Sequence, residues 1–314
     1  MALTKSCINL IPALLVAAIL SACGGNNSKD DNSTSTDASL LVQEPGAPVV
    51  TNNTATDGFN WFNYRRGQAG LSLLARNSLI DRAAQGHSDY LKTNNTVSHD
   101  QVAGKPGFTG ADDFARLSNA GYQFQRPYAY GEVIAGAQNS SGFFLAEELI
   151  TAIYHRFVIL QPIFKDAGAG SATGNGGYYY FTTNFAASND FSRGLGSGRI
   201  ITYPFSNQTR VATSFSSDHE SPDPVPNQDI VGYPISVHAD ITSNLVVRSF
   251  TVAPRGGSAM SVRLLTAATD SNTPSDAAAI IPLAVLSSNT TYDVTFNGSA
   301  NGVDVSRKWS FTTR

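Results

Sequence analysis

Cysteine is nearly absent from this chain of 314 residues: there are two, Cys7 and Cys23. Both lie close to the start, so no cysteine pair is left to brace a globular region and no thiol is left to act as a nucleophile there. Charge is scarce as well. Asp, Glu, Lys and Arg make up 14% of the residues and the formal net charge is −3, which excludes the basic surfaces that bind nucleic acid or anionic membranes. The one markedly apolar opening run, "INLIPALLVAAIL", is too short to cross a bilayer comfortably. Neither H-E-x-x-H nor G-x-S-x-G occurs, so two widespread hydrolase signatures are missing.

What is present begins with an export signal. Lys5 supplies a positive start, the apolar run follows, and "LSAC" closes it at Cys23. Small residues before a cysteine at that place resemble a bacterial lipobox, which implies a leader over 1–23 and a lipid on Cys23. A lipid anchors without spanning, so the membrane is an expected partner through the anchor alone. The expected location is the bacterial cell envelope or surface; Gly24 after the cysteine suits the outer membrane in a Gram-negative host. Residues 24–57 are rich in Asn, Ser, Thr, Asp and Gly and read as a flexible tether. With no disulfide available, the remainder must be held by core burial.

Residues 58–196 carry helical signals first. "DGFNWFNYRRGQAGL" has an N-cap candidate in Asp57 and stop signals in Gly67 and Gly70. In "NSLIDRAAQGHSDYLKTNN", Leu79, Ala83, His87 and Leu91 share one helical face. "TGADDFARLSNAGY" has a capping-box pattern from Thr109 to Asp112 with Gly121 as C-cap. "SSGFFLAEELITAIYHR" reads as one further helix. Strand-like segments follow, "KDAGAGSA" and "GGYYYFTTNFAA". Helices followed by late strands indicate an α+β layered domain.

Residues 197–314 show no helical period. Short strand-like runs separated by Asn, Pro, Gly and Asp end in "TYDVTFNGSANGVDVSRKWSFTT", where apolar residues alternate on both sides of a turn in "NGSANG". This pattern indicates an all-β sandwich of immunoglobulin-like type. Its histidines, His219 and His238, are isolated and read as surface or edge residues.

The candidate chemistry therefore rests with the first domain. His87 lies on the apolar face of its helix and reads as a hydrogen-bonded core residue. His99 lies in a loop, "TVSHD", from which a side chain can reach over a groove. Glu132 lies in "YGEVIAGA", between a glycine and an apolar run. His155 and Arg156 interrupt the apolar "AIYHRFVILQP", after a helix containing Glu147 and Glu148. Two histidines and a glutamate in a cleft suit zinc, with three ligands and an open position, or an acid/base pair; spacing alone selects neither.

The run from Phe59 to about Ala187 resembles the CAP superfamily (SCP-like, or pathogenesis-related-1-like) in its bacterial form. The resemblance rests on "SHD" at His99, "GEVI" at Glu132, "HRFVIL" at His155 and Arg156, and "DAGAG" with "GYYYFTTNFA" beyond them. It implies an α-β-α sandwich whose cleft is lined by His99, Glu132 and His155, with Glu148 as the candidate second acid and Arg156 paired with a nearby acid. Val133 departs from the family pattern, which has asparagine there. The implied function is a non-enzymatic, lipid-anchored module binding an unknown ligand or protein partner in the cleft, the immunoglobulin-like domain serving as spacer or second contact. The alternatives are a zinc-dependent hydrolase, with peptides as one substrate class, using His99, Glu132 and His155 to hold zinc or another divalent metal, and a lipid- or sterol-binding protein.

Overall fold

The structure is a computed structural model that describes residues 19–21 and 38–314. The expected leader, Cys23 and the first part of the tether lie outside the described residues, apart from a strand β1 (Ile19–Ser21). The end of the expected tether is not loose. It forms α1 (Ala38–Leu41), Leu41 is buried, and Glu44 reaches Arg65 at 2.7 Å.

The first domain contains α2 (Thr54–Gln68), β2 (Ala75–Arg76), α3 (Ser78–Asn94), α4 (Asp113–Asn119), β3 (Ala129–Ala137), α5 (Gly142–Thr151), α6 (Ile153–Ile159), β4 (Asp166–Thr173) and β5 (Tyr179–Ala187). Asn53, not Asp57, caps α2, accepting from the Thr56 N–H. Asp57 lies in the first turn, where its carboxylate accepts from the Thr51 and Asn52 N–H groups and the Thr51 hydroxyl. Asp112 rather than Thr109 caps α4 through the Ala115 N–H. The helix expected through Arg156 is two helices. Ala152 is extended (φ −67°, ψ 121°) and its N–H closes α5 on Glu148; α6 restarts because a carboxylate from elsewhere in the chain meets its first N–H groups.

Strands β4, β5 and β3 pair antiparallel, with β2 parallel to β4 at one edge. At the other edge β1 runs parallel to β3 and antiparallel to β9 (Glu220–Ser221). Alternation along a strand sends successive side chains to opposite faces, and the packing follows it. Val133, Phe181 and Phe185 join Phe59, Phe62 and Phe143 of α2 and α5 on one face. Tyr130, Ile134 and Ala186 meet α3 and α4 on the other. Helices thus cover both faces. Two glycines set how closely α3 lies: a Cβ on Gly168 or Gly170 would collide with the backbone nitrogen of Asp81 or Gln85, an overlap no real carbon tolerates. The Ser88 hydroxyl donates to Gly170 O and shares a second hydrogen bond with the Thr182 hydroxyl across that seam.

The second region is all β. Strands β6 (Ile201–Tyr203), β11 (Ile235–His238), β14 (Ala277–Pro282) and β13 (Val262–Leu265) form one four-stranded sheet. A second sheet joins β7 (Gln208–Val211), β16 (Val303–Thr313), β15 (Thr291–Ala300) and β12 (Leu245–Pro254), while β8 (Ser214–Ser216) and β10 (Ile230–Gly232) make a small ribbon. Strand β15 runs through Asn297–Ala300, so the expected turn shrinks to Asn301-Gly302, both with positive φ (52° and 76°), as a two-residue hairpin requires.

The two regions share their cores. Strand β14 is buried on both faces: Ala278 and Ile280 face the sandwich interior, while Ala277, Ala279 and Ile281 pack with Ile153, Tyr154 and Phe157 of α6. His238 is buried there too, edge-on to Phe157, and burial pushes its pKa down to about 3. It is therefore not the surface residue expected from sequence, whereas His219 is exposed.

Candidate binding site around Glu132

Glu132 leaves the middle of β3 on the α3/α4 face. Buried carboxylates need partners, and this one is well supplied with donors. Arg116 Nη2 of α4 lies 2.8 Å from both oxygens, His99 Nδ1 donates to Oε1 at 2.9 Å, and Asn184 Nδ2 of β5 donates to Oε2 at 3.0 Å. Burial alone would raise its pKa. The Arg116 charge, His87 and the His99 hydrogen bond outweigh burial and hold the carboxyl well below the usual carboxylate range.

His87 is fully buried beside them, with Nε2 3.7 Å from Glu132 Oε1. Its own hydrogen bonds define one neutral tautomer: Nε2–H donates to Ser98 O at 2.9 Å and Nδ1 accepts from Gln101 Nε2 at 2.8 Å. Burial lowers its pKa to about 4, so at neutral pH it is a dipole beside Glu132 and not an ion-pair partner. Asp113, next to the Asp112 cap, is pushed up to about 7 by burial and by the Glu132 charge. Of the Glu132, His99, Arg116 and His87 side chains, His99 is the most accessible, at 13%.

His155 belongs to a different cluster. It lies in the first turn of α6, on the helix layer opposite α3 and α4: a Cβ on Gly131 would meet Val158 of α6, and Glu132, the next residue, points the other way. Its Nδ1 donates to Glu220 Oε1 at 3.0 Å. The same carboxylate accepts from the backbone N–H groups of Ile153, Tyr154 and His155 at 2.8, 2.7 and 3.3 Å, satisfying the start of α6. His155 Nε2 is buried with no hydrogen-bond partner among the described residues. Arg66 supports the other end of α6, donating to Ile159 O and Gln161 O at 2.7 and 2.9 Å.

Among the described residues Arg156 has no acidic partner, contrary to the sequence expectation. Its guanidinium donates to Ile150 O, Thr151 O and Pro234 O and to Ser236 Oγ. It also lies over the rings of Tyr203 and Tyr233, each 4.9 Å from centroid to charge centre. Carbonyl dipoles and π faces offset its desolvation. The polar pair inside the apolar run thus fastens the all-β region to the first domain.

Residues 59–185 match the model of the CAP family, the cysteine-rich secretory protein family. This segment is a CAP domain. No curated protein matches the chain. Among solved structures, the chain is similar to an extracellular protein containing an SCP domain from Bacillus anthracis (28% identity, 44% of each chain covered, TM-score 0.36). It is also similar to an outer surface protein from Borrelia burgdorferi (12% identity, 45% of this chain and 97% of that one, TM-score 0.38). A third is the venom allergen-like protein 4 of Schistosoma mansoni (14% identity, 46% and 92% covered, TM-score 0.30). The chain spans less than half the length of the Bacillus anthracis protein.

Within the CAP domain the residues do not fit the divalent metal that the sequence comparison raised. A guanidinium sits 2.8 Å from both Glu132 oxygens, where its charge opposes a cation. His155 is committed to Glu220, and among the described residues no group of three His, Cys, Asp or Glu side chains is placed to hold a metal ion. Glu148 is half-buried on α5, on the far helix layer from Glu132. Its neighbour Glu147 is bound by Arg65 Nε at 2.9 Å and Trp61 Nε1 at 2.6 Å. The acid near Glu132 is Asp113. Arg116, Asn184 and Asp113 escaped the sequence reading because ordinary helix and strand patterns surround them; the "DD" at a helix start was the only local signal.

Proposed function

We propose that this protein is an exported, lipid-anchored binding protein of the bacterial envelope whose CAP domain engages its ligand at the rim marked by His99, without catalysing a reaction. The observation that carries this reading is the saturation of Glu132. A general base needs a pKa near the working pH and a free lone pair; this carboxylate is held strongly ionised by Arg116, His99 and Asn184 and faces a neutral His87. Such a node fixes the shape of a surface rather than moving protons. The all-β region, which we assign as an immunoglobulin-like module, is fastened to the CAP domain through Glu220 and Arg156 and presents a second surface at a set angle.

Export and anchoring are supported by the positive start, the short apolar run and "LSAC" at Cys23. Among the described residues no helix is long and apolar enough to cross a membrane. Maturation before Cys23 would remove β1 from its place between β3 and β9.

The test has two arms. Metabolic labelling with a fatty acid should mark the parent protein and not Cys23→Ser. The purified soluble part should neither cleave a mixed peptide library nor retain stoichiometric zinc after gel filtration. Peptide turnover abolished by Glu132→Gln would overturn the non-enzymatic reading, and absence of label would overturn the anchor.

A further inference from the structure

A second site lies beside the His99 loop. The stretch Asn95–Val97, Gln138 just past β3, and Asn175 with Tyr178 and Tyr180 at the β4–β5 turn enclose a groove of about 380 Å³. That size falls within the range of small-molecule sites, roughly 300–1,000 Å³.

The lining chemistry is selective. Among the described residues it is lined by two asparagines, a glutamine, a threonine, two tyrosines and a valine, with no lysine, arginine, aspartate or glutamate. An anionic ligand would find no cation there and a cationic one no carboxylate. A lipid would find little apolar wall beyond Val97 and the tyrosine rings. Amides and hydroxyls both donate and accept, as sugar hydroxyls do. Tyrosine adds a flat face with a polar tip at low cost in side-chain entropy.

The walls are fixed before any ligand arrives. Asn95 is the left-handed C-cap of α3 (φ 48°, ψ 54°), and its Oδ1 accepts from the Tyr180 hydroxyl at 3.2 Å. Tyr178 and Tyr180 meet edge to face, with centroids 5.0 Å apart. The turn that carries Asn175 is tied by Gly174 N–H to Tyr178 O at 2.7 Å. A pre-set site loses less freedom on binding.

We propose that this groove binds a neutral oligosaccharide, the class of ligand whose hydroxyls match its amides and whose ring face matches the half-buried ring of Tyr178, which the buried Tyr180 backs. The site is separate from the Glu132 cluster and does not depend on how that cluster is read.

Titration with N-acetylchitotetraose and with maltotetraose, followed by amide NMR, tests it. At least one should shift residues 95–97, 138 and 175–180 with a Kd on the order of 1 mM or tighter. Gln138 and Asn175 are not buried, so Gln138→Ala combined with Asn175→Ala should keep the parent Tm and weaken binding at least tenfold. No shift with either sugar at concentrations on the order of 10 mM, undiminished binding in the double variant, or stronger shifts with a sulfated oligosaccharide or an acidic peptide would each overturn the proposal.

Discussion

Removing Glu220 should uncouple the two regions of this protein. Its carboxylate is buried and accepts from three N–H groups at the start of α6 and from the His155 ring. In Glu220→Ala these donors lose their acceptor, and each unmet buried donor costs roughly 1–3 kcal/mol. Water entering the vacated space recovers part of that, leaving a loss of about 4 kcal/mol. Against a total stability of about 5–15 kcal/mol this is large. Glu220→Gln keeps one acceptor oxygen and should lose about half as much. The assay is urea unfolding followed by tryptophan fluorescence, because the chain has two tryptophans, one in each region. Trp61 is buried in α2 and Trp309 in β16. Observed separately in Trp309→Phe and Trp61→Phe backgrounds, the two transitions should coincide in the parent and separate in Glu220→Ala, the first domain melting earlier. A loss below about 1 kcal/mol with coincident transitions would refute the reasoning that this carboxylate supports α6 and joins the regions.

Three further outcomes follow from the same geometry. Glu132→Gln leaves the buried Arg116 guanidinium without its counter-charge and should destabilise by roughly 3–5 kcal/mol in chemical denaturation; near-parent stability would contradict the ion pair. Asp113 has a folded pKa raised from 3.8 to about 7, so its contribution is present at low pH and is lost as pH rises through that window, by at most about 4 kcal/mol. His87 acts in the opposite sense between about 4 and 6.5, so the measurement compares variant with parent: Asp113→Asn should gain relative stability from pH 4 to 8, and parallel pH profiles would refute the assignment. Gly170→Ala would drive a Cβ into the α3 backbone and should lower stability by at least about 3 kcal/mol, read as a lowered Tm.

The layered domain was legible because its signals are local. Amphipathic spacing in α3, the β-branched and aromatic run of β5, and the glycines of β4 each point to one element, and "SHD" and "GEVI" mark His99 and Glu132, which do meet. What stayed hidden depends on contacts distant in sequence. His155 sits in a recognisable motif, yet its partner Glu220 lies 65 residues downstream in "DHESPDP", a segment that reads as a turn. Strand β14, "AAAIIP", has no alternation because both of its faces are buried, and a run of alanines resembles a helix as much as a strand. Arg156 looked as though it needed an acid, whereas carbonyls and two tyrosine rings provide for it. The CAP match over 59–185 holds although the three side chains that the resemblance gathers around one hollow occupy two separate clusters.

That separation is the central structural claim, and imidazole-resolved nitrogen-15 NMR during a zinc titration at neutral pH tests it most directly. His87 should remain in its neutral Nε2–H form throughout, and the His155 resonances should not move with those of His99 at one equivalent of zinc. Joint, stoichiometric shifts of His99 and His155, reversed by chelator, would place both rings on one ion and contradict the account.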